Sequence, residues 1–104
     1  MKKTSILKAA RVIRSKNSGP YELTFDIIFK NKRYFHLFRK RNIITRKKVA
    51  MLYRANEDDV LKIIYFEPAY AMKITLKRWM PSGHAGESDI YGAQQHAPLL
   101  GITF

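Results

Sequence analysis

Glu22-Leu23-Thr24-Phe25-Asp26-Ile27-Ile28-Phe29 sets large apolar side chains at Leu23, Phe25, Ile27 and Phe29 against Glu22, Thr24 and Asp26 between them. Successive side chains of a strand point to opposite faces, so this alternation predicts a strand buried chiefly on one side. A sheet with one apolar face needs a second layer, and the next segments supply it. From Asn31, the residues Tyr34, Phe35, Leu37 and Phe38 fall on one helical face, and Arg33, Lys40 and Arg41 on the other. Thr45 reads as the N-cap of a further helix with Val49, Leu52 and Tyr53 inward. Its first turn, Arg46-Lys47-Lys48, sets cations against the helix dipole.

Upstream of the strand, Ile6, Ala9, Ala10 and Ile13 recur at helical spacing behind Ser5, which predicts a short helix ending before Asn17. Ser15 to Pro20 then reads as a turn, because Asn17 and Gly19 accept positive φ and Pro20 stops a helix. Downstream, Val60 to Phe66 is an apolar, β-branched run of the kind found in interior strands. Glu67-Pro68-Ala69-Tyr70 turns the chain, and Met72, Ile74 and Leu76 alternate with Lys73, Thr75 and Lys77 in a half-exposed strand. The periodicity stops after Trp79, and Leu99 to Phe104 suggests a short closing strand. The expectation is one α+β domain over 1–104, a two-layer sandwich with helices on one face of a mixed sheet. A ferredoxin-like split arrangement is the nearest named architecture.

Composition narrows the function. The 104 residues include no cysteine, which removes thiol catalysis, disulfides and Cys-based zinc sites. Lys8 and Arg11 interrupt any signal-peptide core, and no stretch reaches the roughly 20 apolar residues of a membrane span, so a soluble cytoplasmic protein is expected. The net charge of +12 is unevenly placed: residues 1–54 hold 16 Lys and Arg against Glu22 and Asp26, and no Lys or Arg occurs from Trp79 onward. Tyr34, Phe35, His36 and Phe38 beside Arg33, Arg39, Lys40 and Arg41 offer stacking and phosphate contacts for nucleic acid. The same aromatics sit at core spacing, which makes nucleic-acid binding the runner-up reading.

Two segments carry the candidate site. Arg14, Ser15, Lys16 and Asn17 place two cations and two polar groups ahead of Gly19-Pro20, a set able to hold a carboxylate or phosphate. From Pro81 to Pro98 the chain is small, polar and glycine-bearing, and its candidates are Ser82, Gly83, Gly86, Asp89, Tyr91, Gln94, Gln95 and His96. Gly83, Gly86 and Gly92 could let backbone amides approach an anion, though turn formation is the commoner cause of such glycines. His84, Glu87, Asp89 and His96 are metal-capable, but their spacing matches no recognised ligand signature, so neither a metal nor a cofactor is expected.

Both segments also carry a resemblance. Ile13 through Thr24, and Pro81 through Leu100 with Tyr91-Gly92-Ala93-Gln94-Gln95-His96-Ala97-Pro98, resemble bacterial domain-of-unknown-function family 4387 over nearly the whole chain. More distantly, Arg14 to Gly19 and the late segment are similar to the C-terminal ferredoxin-like domain of the acyclic terpene utilisation protein A family. Lys16-Asn17 stands where those relatives often carry Gly-Asp. The resemblance implies a small accessory subunit or ligand-binding domain beside a larger terpene-utilisation-type protein. The implied setting is catabolism of branched or organic acids, with coenzyme A derivatives as the expected metabolites. The alternatives are an enzyme whose site is assembled in a homo-oligomer, and a basic nucleic-acid binder.

Overall fold

A computed structural model describes residues 3–19, 21–77 and 97–104. Four strands, β1 (Ala10–Gly19), β2 (Glu22–Phe29), β3 (Val60–Phe66) and β4 (Ala71–Lys77), form one sheet in the order β1-β2-β4-β3. Helices α1 (Lys32–Arg41) and α2 (Arg46–Leu52) connect β2 to β3. Every ladder is antiparallel, so the α+β class stands while the sheet is uniform where a mixed one was expected. β2 and β3 run in the same direction with β4 between them. This is a split β-α-β crossover, compatible with a ferredoxin-like arrangement.

The helices start where the sequence says they should. The Asn31 side chain accepts from the Tyr34 amide at 3.0 Å, and the Thr45 hydroxyl accepts from the Lys48 amide at 3.1 Å. Asn42 ends α1 in the left-handed region at φ 47°, and Arg39, Lys40 and Arg41 occupy the last turn, where the dipole favours cations. Phe35 and Phe38 point down onto Phe29 with ring centroids 6.3 and 4.7 Å away, and Tyr53 meets Phe25 at 4.8 Å. Leu23, Phe25, Ile27, Met72, Ile74 and Val60 complete one buried apolar cluster between the layers.

Three segments depart from expectation. Behind Ser5 only a 3-10 turn, Ile6–Lys8, forms before the chain enters β1. Ile6, Ala9 and Ala10 are buried as predicted, but as the approach to a strand. The expected turn at Ser15 to Gly19 is mostly strand: Lys16 faces Thr24, Asn17 faces Leu23 and Gly19 faces Glu22. Two register shifts, at Ala10/Val12 and Asn17/Gly19, accommodate residues that a regular strand would not choose. Lastly, Leu99 to Phe104 forms a 3-10 helix (Ala97–Gly101) and a single bridge between Thr103 and Ser5. Thr4 and Phe104 exchange backbone hydrogen bonds of 2.7 and 2.8 Å there, so both ends of the chain are tied together beside the main sheet.

Val60 to Phe66 is a strand, but among the described residues it lies at the edge of the sheet. Its apolar residues point both ways: Ile63 and Tyr65 toward the helices, where they are half-buried, and Ile64 and Phe66 to the opposite side, 47% and 56% exposed.

Candidate functional site

Among the described residues the helices cover one face of the sheet and leave the other uncovered, and the registers fix what that face displays. Three rows cross all four strands on that side: Val12-Ile28-Ala71-Phe66, Arg14-Asp26-Lys73-Ile64, and Lys16-Thr24-Thr75-Lys62. The face therefore grades from an apolar row through an ion-paired row to a basic and hydroxylic one. Glu22 opposite Lys77 ends the series. A shallow concavity of about 430 Å³ opens between the first two rows, lined by Arg14, Asp26, Ile28, Ile64, Phe66 and Lys73 among others.

Arg14 Nε lies 3.3 Å from Asp26 Oδ2, and Lys73 stands across from Asp26 in the β2–β4 register, so the row sets two cations on either side of one carboxylate. Lys16, Lys62 and Lys73 are exposed, whereas Thr24 is buried on the central strand. The surplus of positive charge beside an apolar strip suits an acidic surface that also carries hydrophobic side chains. A small anion would meet only part of this face.

The candidates on β1 are split by the pleat. Arg14 and Lys16 belong to the uncovered face, but Ser15 is buried opposite Phe25 on the helix-covered side, and Asn17 follows it opposite Leu23. The four residues do not converge as a loop-borne anion site would. Ser82, Gly83, Gly86, Asp89, Tyr91, Gln94, Gln95 and His96 lie outside the described residues, as do His84 and Glu87.

Residues 6–103 match the profile of the family described as Domain of unknown function (DUF4387). The chain belongs to this family. The DUF4387 match spans β1 to β4 and both helices and carries no activity with it; the resemblance to terpene utilisation protein A is not part of it. No curated protein and no solved structure matches this DUF4387 chain.

Other polar groups are committed to the fold. His36 Nε2 lies 3.3 Å from Glu67 Oε2, and Arg39 Nη2 lies 3.3 Å from His36 Nδ1. A guanidinium only donates, so Nδ1 accepts and the ring hydrogen sits on Nε2, pointing at Glu67. Nε2 thereby ties α1 to the β3–β4 connection, and Nδ1 is held within the helix by Arg39. Burial pushes the Tyr53 phenol well above its ordinary range, and burial also raises Tyr65, against which the nearby Arg39 cation works. Among the described residues, no three of His, Asp and Glu gather as metal ligands would, and no helix is long and apolar enough to cross a membrane.

The basic helices make a second polar surface, with a hollow of about 420 Å³ between Arg33, His36, Leu37, Lys40 and Arg41. Phe35 and Phe38 are fully buried and Tyr34 packs on Phe104, so this surface presents cations with those rings turned inward. The uncovered sheet face went unseen in the sequence. Its signal was present as the interleaved set Thr24, Asp26, Lys73 and Thr75, which the alternation sets opposite the apolar positions without connecting the strands.

Proposed function

We propose that this protein is an accessory binding subunit of a catabolic complex in the cytoplasm, and that the uncovered face of its sheet is where a larger partner docks. The observation that carries this reading is the pairing of an apolar row ending in Phe66 with a row holding Arg14 and Lys73 around a single carboxylate. Exposed apolar patches rimmed by charge mark interaction surfaces, and depositing them on a rigid sheet keeps the ordering cost of docking low. The partner's contact surface would be acidic and apolar. A protein handling branched or organic acids as coenzyme A derivatives is the setting that the distant resemblance suggests.

The test is affinity purification of the tagged chain from its native cytoplasm after cross-linking, beside a charge-reversed version carrying Arg14→Glu and Lys73→Glu. The native chain should recover a larger partner and the reversed chain should lose it. Reversal of Lys40 and Lys47, on the helical layer, should leave recovery unchanged. Retention of the same partner by the Arg14→Glu, Lys73→Glu chain would contradict the reading.

A further inference from the structure

The two edges of the sheet are defended differently. β1 carries Arg11, Arg14 and Lys16 and two register shifts, which are the devices by which natural sheets refuse an added strand. β3 carries one cation, Lys62, and one register shift, between Val60 and Lys62 at its very start. Arg46 Nη2 donates to the Leu61 carbonyl at 3.2 Å, which covers that same end. From Ile63 to Phe66 the edge is regular and apolar on both sides. Among the described residues, no other hydrogen bond reaches it from outside the β4 ladder. The composition is that of an interior strand, placed at an edge.

We infer that β3 pairs with β3 of a second copy of this chain, antiparallel, joining two four-stranded sheets into one continuous sheet. The charges favour this occupant. Glu67 is held on the helix side by His36, and Lys62, near the start of the strand, is the one charged residue of β3. A two-fold axis normal to the sheet keeps the apolar faces in phase when Ile64 faces Ile64; Lys62 then lies across from Phe66, so two identical edges meet with no like charges directly opposed. Elsewhere the chain's net charge of +12 opposes self-association, and this strand with its Glu57, Asp58, Asp59 and Glu67 flanks is its least basic region. The uncovered faces of both copies would become one surface, but the inference rests on the edge and stands apart from what docks on the face.

Sedimentation velocity of the purified full chain, from low to high micromolar concentration at physiological salt, tests it. The native chain should sediment as a dimer that dissociates on dilution. Ile64→Lys puts a cation on the two-fold axis and should give a monomer with an unchanged circular dichroism spectrum, while Met51→Lys, on α2, should remain dimeric. A native chain that stays monomeric throughout would overturn the inference. So would a dimer that survives Ile64→Lys, or one abolished by Arg14→Glu with Lys73→Glu instead, which would place the contact on the sheet's face.

Discussion

The helix-covered and uncovered faces of the sheet are written by the same strands in alternate residues, and they obey different rules. On the covered side, Ile13-Ile27-Met72-Tyr65 and Ser15-Phe25-Ile74-Ile63 cross the sheet, with Phe25, Ile27, Met72 and Ile74 fully buried. On the other side the matching rows hold Arg14, Asp26, Lys73, Lys16 and Lys62, beside apolar side chains that remain half-exposed or exposed. The covered rows are explained by folding alone. Phe66 and Ile64 stay exposed among the described residues, which is what the proposed docking of a partner on this face needs.

That contrast fixes the order of mutational effects. Phe25→Ala removes a fully buried ring from the covered face and should cost about 3 to 5 kcal/mol in denaturant unfolding, enough to unfold many small domains. Asn31→Ala, which removes the cap that starts the covering helix, should cost about 1 kcal/mol by the same measurement. Arg14→Ala breaks a pair whose arginine is mostly exposed and should cost no more than about 1 kcal/mol. Phe66→Ser, on the uncovered face, should shift stability by about 0.5 kcal/mol or less while reducing partner recovery. A Phe66 effect comparable to that of Phe25 would erase the distinction between the faces.

Alkaline pH sharpens it further. Burial of Tyr53 against Phe25 raises its phenol above the ordinary value near 10, so the folded state holds the proton more tightly than the unfolded one. The resulting stability is fully present below pH about 10 and is lost as pH rises above it. Denaturant midpoints at neutral pH and above pH about 10 should differ more for the native chain than for Tyr53→Phe. Equal differences would show that burial of this phenol does not set the alkaline limit.

How much of this was legible depended on whether one periodicity ruled a segment. β2 and β4 are central strands with one apolar side each, and their alternation gave both the element and its buried residues. α1 and α2 carry caps and amphipathic spacing, and Asn31 and Thr45 act as read. β1 was misread because its side toward the helices includes Ser15 and Asn17, so the strand period is masked, while Ile6, Ala9, Ala10 and Ile13 match a helix by accident of spacing. β3 was placed inside the sheet because apolar residues on both faces usually mean two covered faces. The site was only half legible: Arg14 and Lys16 were chosen for charge. Their partners Asp26, Lys73 and Lys62 come from other strands, and only the register brings them together.

Lysine footprinting tests the uncovered face most directly, by acetylating the chain alone and in complex with its co-purified partner and locating the modified residues by mass spectrometry. Lys16, Lys62 and Lys73 project from the uncovered face, and Lys32, Lys40 and Lys47 from the helices, all of them exposed in the isolated chain. The complex should protect Lys73, Lys16 and Lys62 and leave Lys32, Lys40 and Lys47 as reactive as before. Protection of the helical lysines with Lys73 and Lys16 still reactive would contradict docking on the sheet.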